Sequence, residues 1–391
     1  MSSRPSSRWF LCLVAWLVAL SAHAEPLRGI PANVDAAVHI SYDEAAKSQL
    51  HPLAVALQKR MEKLGEQLDP VAAKRNKELL NRLGLKTDGT HIIKLGVRIA
   101  KGEGEEGPDY SFYGVIHLDL RKSAFDTFAK EQGVSPVVIG DLTGWEGSKL
   151  VIALLKALNQ DIGTEESAME VLKDYAVVMP EDNVLILSPI RETSTTIACW
   201  RNKKPSFELP ASAQAEVTAT PLHHTQIYAN VRKIQEAVDP ESLKTDKLGL
   251  KDVTFVVGED AKDFLMRAKV SFSDEAKAKT AAQEITSALT IGNLATVEAD
   301  EDDADTKYFK SEAADFLAGI KTTQDGATVS IRSAYSLGRA KVLFGKLGDK
   351  VEQMAREAAE VTKENATPAP ASVEDEEMDA PAKAPAPKKT K

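Results

Sequence analysis

Short runs in which apolar and polar residues alternate recur along this chain, usually in pairs joined by a turn sequence. Alternation with a period of two is typical of β-strands, whose successive side chains point to opposite faces of a sheet. Asp182-Asn183 and Asp325-Gly326 each separate two such runs, and an Asp-Gly pair is a strong hairpin signal. Short hairpins join antiparallel strands. The predicted strands cover residues 38–42, 90–100, 110–120, 175–179 and 184–187, then 225–229, 252–258, 264–272, 320–323 and 327–333.

Between these strands, apolar residues recur at spacings of three and four, which predicts helices. Residues 53–83 contain two predicted helices, separated at Asp69-Pro70 and stopped by Gly84. Residues 123–132 form another, closed by Gly133. Further helices are predicted over residues 148–158, in a stretch ending at Trp200, after Ser273 as the capping residue, and from about Leu337 onward.

Both halves of the chain therefore follow one order: strand, helix, two strands, helix, hairpin, helix. Residues 202–221 separate the halves and contain Pro205, Pro210 and Pro221, which marks a candidate linker. We expect an α+β fold of two related units, residues 25–205 and 206–361, each an antiparallel sheet with helices packed on one face. A single α+β domain with similar hairpins is the alternative.

The first 24 residues have the three parts of an export signal. Arg4 and Arg8 are followed by an apolar run over residues 9–20, and Ala22-His23-Ala24 presents small residues around a cleavage site. The run is shorter than the roughly 20 apolar residues that span a bilayer. We therefore expect a soluble exported chain, periplasmic or secreted, that begins at Glu25 and has no membrane span.

The composition and net charge of the chain exclude some classes of binding partner. Removing residues 1–24, which contain two arginines and no acidic residue, leaves 47 basic and 58 acidic residues, a net charge of −11. Such a charge disfavours nucleic acid and anionic membrane surfaces as partners. The hydrophobic content of 43% is typical of a globular protein. Residues 362–391 are rich in proline, alanine and charge, which predicts a disordered tail.

The two cysteines exclude a disulfide framework. Cys12 leaves with the signal, and because no small residues precede it, we expect no lipid anchor there. Cys199 is then the only cysteine of the exported chain. It lies near the end of a predicted helix, and unpaired cysteines are usually buried. We expect a structural thiol and not a nucleophile.

Two sequence patterns resemble ligand-binding loops without fitting them. Gly102, Gly104 and Gly107 match the glycine spacing of a dinucleotide loop, but a second strand follows where a helix should begin. We interpret this segment as an acidic hairpin turn. Residues 298–305 contain six acids, but they lack the glycine and the closing glutamate of a calcium loop. Whether this run binds a cation is left open.

The remaining candidate groups do not form a recognisable site in the sequence. His39, His51, His91, His117, His223 and His224 include no pair spaced to bind zinc from one helix. Adjacent His223 and His224 are expected to point to opposite faces of a strand. Residues 144–148 contain glycines around Ser148 but no nucleophile elbow, and they predict a turn before the next helix. We predict no cofactor and no metal, and we assign no catalytic residue.

One helix carries a regular apolar stripe. Its members are Leu337, Ala340, Phe344, Leu347, Val351, Met354, Ala358 and Val361. Gly345 and Gly348 interrupt it, and each costs about 1 kcal/mol against alanine in a helix. The helix therefore needs a partner surface. That surface is either the protein's own sheet or a second subunit, so self-association through residues 337–361 is possible.

These observations favour a non-enzymatic exported protein that binds a partner or serves the cell envelope structurally. The first alternative is a carrier of a small apolar ligand in a cavity between sheet and helices, which residues 150–158 would line. The second is a hydrolase whose site the sequence does not reveal. None of these patterns specifies the partner, the ligand or the oligomeric state.

Overall fold

The structure, a computed structural model, describes residues 27–85, 92–101, 108–157, 172–239, 248–295 and 304–365. The expected signal segment 1–24 lies outside the described residues, as do residues 366–391 of the expected tail. Residues 362–365, which we also assigned to the tail, are the last residues of a helix. Lys363 and Glu364 are good helix formers, and no proline lies between the start of this helix and Pro368.

The described residues form fourteen strands and eleven α-helices. The strands are β1 (Leu27–Pro31), β2 (Ala36–Ser41), β3 (Ile92–Ala100), β4 (Asp109–His117), β5 (Pro136–Ile139), β6 (Leu142–Glu146), β7 (Tyr175–Glu181), β8 (Val184–Pro189), β9 (Ser206–Phe207), β10 (Leu222–Ala229), β11 (Leu250–Glu259), β12 (Asp263–Phe272), β13 (Lys321–Asp325) and β14 (Thr328–Ser336). The helices are α1 (Tyr42–Ala45), α2 (His51–Leu68), α3 (Pro70–Leu83), α4 (Lys122–Glu131), α5 (Gly147–Ala157), α6 (Thr193–Trp200), α7 (Ala211–Thr218), α8 (Val231–Val238), α9 (Glu275–Ala295), α10 (Ala304–Ala318) and α11 (Leu337–Asn365).

Twelve strands form one continuous sheet, so the fold class is α+β with antiparallel pairing, as predicted. The strand order is β13-β14-β12-β11-β10-β2-β3-β4-β8-β7-β6-β5, and every neighbouring pair is antiparallel. Moving outward from the centre, the first half runs β2-β3-β4-β8-β7 and the second runs β10-β11-β12-β14-β13. The two halves therefore share one strand order and meet where β2 pairs with β10.

Both faces of the sheet are covered in the first half, one by helices and the other by α6 and the paired strands β1 and β9. Neighbouring residues of β7 show this, because Val177 and Val178 belong to different core clusters. Val177 packs with side chains of α3, α4 and α5, whereas Val178 packs with β1, α6 and Phe207. Since successive strand residues point to opposite faces, the two clusters lie on opposite sides of the sheet.

The predicted helix boundaries have clear local causes. Asp69 separates α2 from α3, and its side chain accepts a hydrogen bond from the Ala72 amide at 2.8 Å. Gly84 ends α3 in the left-handed conformation, with φ of 68°, which glycine adopts without strain. The prediction for α9 was wrong in one detail. Asp274, not Ser273, accepts the capping bond from the Lys277 amide, because Ser273 donates its hydroxyl to Asp274.

The segment proposed as a linker, residues 202–221, is packed against the sheet. Its strand β9 pairs with β1, and its helix α7 lies over β10, β11 and β12. Glu216 of α7 is buried, and its carboxylate lies 3.7–4.0 Å from Arg332, Arg267 and Lys269. Removing these cations would leave an uncompensated buried charge, so they help to hold α7 in place.

The apolar stripe of α11 packs mainly inside the protein. Leu337, Ala340 and Val351 are buried, and α11 runs along α2 and onto β12 and β14. Leu347 and Met354 keep 37% and 42% of their surface exposed. If the protein self-associates through residues 337–361, these two exposed side chains are the ones available for the contact. Among the helices of the described part, none combines the length and the apolar character needed to cross a bilayer.

The two glycines of α11 have different surroundings. A methyl group at Gly348 would overlap the Arg60 guanidinium of α2, which lies 3.5 Å from Asp349 and 3.3 Å from Glu352. A methyl group at Gly345 would meet nothing within 4 Å. Gly348 thus leaves room for the Arg60 side chain beside α11, and Gly345 has no such role.

Gly345→Ala is therefore expected to raise the free energy of unfolding by about 1 kcal/mol, the helix-propensity difference. Gly348→Ala should give a smaller increase in the free energy of unfolding, or a decrease, because the added methyl group displaces the Arg60 side chain. Denaturant titration of both variants measures the difference. Equal gains would show that Arg60 does not constrain position 348.

Candidate functional site

A cavity of about 390 Å³ lies between the sheet of the second half and three helices. Helices α2, α10 and α11 cover it, and β12, β14 and the end of β11 form its floor. Ten of the fifteen lining residues carry apolar side chains. The lining residues are Ser48, Leu50, His51, Ala54, Glu259, Phe264, Met266, Phe309, Glu312, Ala313, Phe316, Tyr335, Ala340, Leu343 and Phe344.

The sequence patterns explain why these side chains converge. Phe264 and Met266 are two residues apart on β12, so they share a face, and Phe264 lies directly opposite Tyr335 of β14. On α10, the residues at 309, 312, 313 and 316 have the spacing of one helix face. On α11, the residues at 340, 343 and 344 do so as well. The periodicities of the strands and of the helices thus place the side chains of β12, β14, α10 and α11 around one space.

One end of the cavity is polar and buried. Glu259 ends β11 with only 2% of its surface exposed. Its carboxylate accepts a hydrogen bond from the Ser48 hydroxyl. It accepts a second one from the Gln49 backbone amide, at 3.2 Å. The Ser48 hydroxyl oxygen in turn accepts from the Leu50 amide at 2.9 Å. Nδ1 of His51 is also shielded from solvent and has no hydrogen-bond partner.

A second carboxylate at the cavity, that of Glu312, is already neutralised. Tyr335 donates its hydroxyl to Glu312, and Arg339 donates its Nε to the same oxygen at 3.0 Å. Burial and the bond to Glu312 both raise the pKa of Tyr335, so its phenol stays protonated. The two acids therefore differ, because Glu312 has a cationic partner and Glu259 has neutral donors.

The polar end does not reproduce a serine hydrolase. In a catalytic triad the serine proton passes to a histidine that an acid orients. Here the Ser48 hydroxyl donates its hydrogen bond directly to the Glu259 carboxylate, with no histidine between them. An apolar space with a few fixed polar groups at one end is the usual form of a small-molecule binding site.

The cavity is not where the sequence placed it. We expected residues 150–158 to line an apolar site. Leu150 and Ala153 of α5 are instead buried against Phe125 and Trp145 in the core of the first half, and Leu158 lies outside the described residues. Leu150 and Ala153 of α5 are therefore part of a packed core.

Of the six histidines after residue 24, His39 lies at the joint between the halves and within electrostatic range of His223 and His117. His39 of β2 lies opposite Gln226 of β10, and the two side chains are hydrogen-bonded at 2.6 Å. Burial lowers the pKa of His39 to about 3, with smaller contributions from Lys94, His223 and His117. Within the described residues, no three His, Cys, Asp or Glu side chains stand where they could hold a metal ion together.

The adjacent pair His223-His224 lies at a bulge in β10. His223 pairs with Gly258 and Thr225 pairs with Val257, so His224 is the extra residue. His223 lies within electrostatic range of His39, whereas the ring of His224 lies 5.5 Å from Phe264 at the cavity floor. Burial lowers the pKa of His224 to about 4. The last two histidines are His51 at the cavity and His91, which is outside the described residues.

Cys199 is buried near the end of α6. Its thiol lies 3.3 Å from the Pro205 carbonyl oxygen, and burial raises its pKa. A raised pKa disfavours the reactive thiolate. This environment is the one expected of a structural thiol.

The turn predicted at residues 144–148 is wrong in its first part. Gly144 to Glu146 belong to β6, where Gly144 pairs with Val178 and a methyl group would press on the β7 backbone. Ser148, in the first turn of α5, donates to Glu146 at 3.0 Å. Gly102, Gly104 and Gly107 lie outside the described residues, as do positions 298–303 of the acidic run.

A larger but polar depression, of about 540 Å³, lies beside the β7–β8 turn. Its side chains include Asp182 and Asn183, which accept hydrogen bonds from the Lys122 amide at 2.7 Å and the Leu120 amide at 3.1 Å. These contacts fix the turn against the start of α4. The depression is therefore accounted for by the packing of the turn.

The buried histidines predict a loss of stability in mild acid. His39 and His224 are neutral when folded, but both take up a proton below about pH 6.5 when unfolded. The unfolded state then binds more protons, so stability falls as the pH drops from about 6.5 toward 4 and 3. Each histidine should lower the free energy of unfolding by about 2 kcal/mol near pH 5.

Denaturant unfolding between pH 7 and pH 5 measures this loss, in a range where most carboxylates remain ionised. His39→Gln, which has no titrating ring, should show a shallower pH dependence. A stability that does not change over this range would contradict the prediction.

The sequence matches no protein-family model, and no curated protein is significantly similar to it. Solved structures of the protein TP0453 are similar to this chain in crystal forms III, I and IV, with identities of 9%, 9% and 10% and TM-scores of 0.37, 0.34 and 0.37. They cover 84%, 84% and 82% of this chain and 99%, 98% and 96% of their own chains. At these values the similarity carries no argument about what this chain binds.

Proposed function

We propose that this protein is an exported, non-enzymatic binding protein that holds a small apolar molecule in the cavity beneath α2, α10 and α11. The observation that carries this proposal is the cavity itself. Its volume of about 390 Å³ falls within the range of small-molecule sites, which runs from roughly 300 to 1,000 Å³. Its mostly apolar walls, with a buried polar end at Glu259, fit a ligand that is mostly hydrocarbon.

Export is the second part of the proposal, and residues 1–24 support it. A basic start, an apolar run and a small-residue cleavage site are together typical of a secretory signal. A carrier of apolar molecules is useful where such molecules must cross an aqueous compartment. We also propose that residues 366–391 form a disordered tail, because they are rich in proline, alanine and charge.

We also propose that the two halves arose by duplication of one unit, with the boundary near Pro205. The shared order β2-β3-β4-β8-β7 and β10-β11-β12-β14-β13 supports it. In this interpretation α2 and α3 are an insertion between the first two strands of the first unit, at the place that α8 occupies in the second. The cavity then lies where an inserted helix of one unit covers the sheet of the other.

The binding proposal predicts that an uncharged apolar probe binds at this cavity. N-phenyl-1-naphthylamine, neutral at pH 7, should gain fluorescence with the purified protein and saturate at one site. Ala54→Phe places a ring into the cavity from α2, and it should weaken probe binding by about tenfold or more, which is about 1.4 kcal/mol.

Ala56→Phe is the matched control, because residue 56 is exposed on the same helix and does not line the cavity. Thermal melts of both variants establish that each is folded. Equal probe affinity in the two variants would place the probe elsewhere, and absence of saturable binding to the unmodified protein would overturn the proposal.

The export proposal predicts the N-terminus of the processed chain. Protein recovered from the exported fraction should begin at Glu25, because signal peptidase cuts after Ala22-His23-Ala24. Intact-mass measurement decides this directly. A chain that retains Met1 in that fraction would contradict it.

A further inference from the structure

We propose that the ligand of this cavity is a cationic amphiphile, a primary alkylammonium whose hydrocarbon lies among the aromatic rings and whose head group meets Glu259. This inference rests on the proposed function and adds the chemical class of the ligand. It is carried by the charge of the cavity wall, the bonding of Glu259 and the free nitrogen of His51.

Glu259 has no cationic partner in the described part of the chain. Its carboxylate is 2% exposed, and its hydrogen bonds come from a hydroxyl and an amide, both neutral donors. A buried charge is costly unless an opposite charge is close to it. An ammonium group in the cavity would supply that charge, at the position where the protein supplies none.

His51 provides a second polar contact at the cavity wall. Its Nδ1 is shielded from solvent and has no hydrogen-bond partner. In the tautomer protonated at Nε2, this nitrogen accepts a hydrogen bond. A primary ammonium has three N–H donors, enough to supply both of these acceptors, Glu259 and His51. A carboxylate head group has no proton to donate to either.

The rest of the wall also favours a cation. Phe264, Phe309, Phe316, Phe344 and Tyr335 line the cavity, and the faces of aromatic rings attract positive charge. No lysine or arginine is among the lining residues. Glu312 already has Arg339 as its partner at 2.8 Å. The attraction for a cation is therefore strongest at the Glu259 end, which orients the ligand.

Three ligands that each contain eight carbon atoms test this assignment. Octylamine is protonated at neutral pH, octanoate is ionised, and 1-octanol is neutral. Each is titrated against the protein with bound N-phenyl-1-naphthylamine. We expect octylamine to displace the probe at a concentration at least tenfold below that of octanoate, with octanol between them. Octanoate acting as well as octylamine would overturn the assignment while leaving the apolar binding site in place.

The outcomes separate the two proposals. If the probe does not bind, the proposed function fails, and the cationic ligand fails with it. If the probe binds and all three ligands displace it equally, the cavity binds apolar molecules without selecting their charge. Only an order that follows the head-group charge supports the cationic amphiphile.

A pair of variants assigns the selectivity to Glu259. Glu259→Gln keeps an oxygen that can accept from Ser48 but removes the charge, so the preference for octylamine over octanol should fall about tenfold. Glu62→Gln removes one negative charge from an exposed position of α2, away from the cavity, and should keep the full preference. An unchanged preference in Glu259→Gln would overturn the assignment. If that variant does not fold, the ligand series on the unmodified protein still decides the question.

Discussion

The pairing of β2 with β10 is the contact on which the architecture depends, because it turns the strands of two halves into one sheet. Five residue pairs define it, from Ala36 opposite Ala229 to Ile40 opposite Thr225. The hydrogen bond between His39 and Gln226 lies within this stretch. A shift of one residue between the two strands would put His39 and Gln226 on opposite faces of the sheet and break their hydrogen bond. The buried polar pair therefore favours one register.

The same pairing places the cavity between the halves. Helices α1 and α2 follow β2, so the segment around Ser48 comes to the end of β11, where Glu259 lies. Helix α2 then covers β12 and β14, which belong to the second half. Neither half alone encloses the space, because its floor comes from one and part of its cover from the other. Small-molecule sites commonly lie at such junctions.

The local structure could be predicted from the sequence wherever one short segment determines it. The hairpins at Asp182-Asn183 and Asp325-Gly326, the break at Asp69 and the stop at Gly84 follow from the preferences of a few residues. Strands β1, β5, β6 and β9 were missed. They are two to five residues long, too short for alternation to distinguish them from loops.

The cavity could not be predicted, because its polar end joins distant parts of the chain. Ser48 and Glu259 are 211 residues apart, and only the order of strands in the sheet brings them together. The apolar residues around them belong to ordinary strand and helix patterns, which indicate burial but not an unfilled space. The apolar run at 150–158 was the stronger pattern in the sequence. Its side chains at 150 and 153 fill a core instead of lining a site.

Comparison of the two halves shows why the space lies over the sheet of the second half. In the first half, Trp145 of β6 and Phe128 of α4 pack with Leu150 of α5 against Val177 of β7. Strands β5 and β6 extend the sheet there, and the second half has no counterpart to them among its described strands. In the second half the aromatic side chains stand around the space, on β12, β14, α10 and α11. One strand order thus supports a filled core in one half and a lined cavity in the other, according to where the aromatic residues fall.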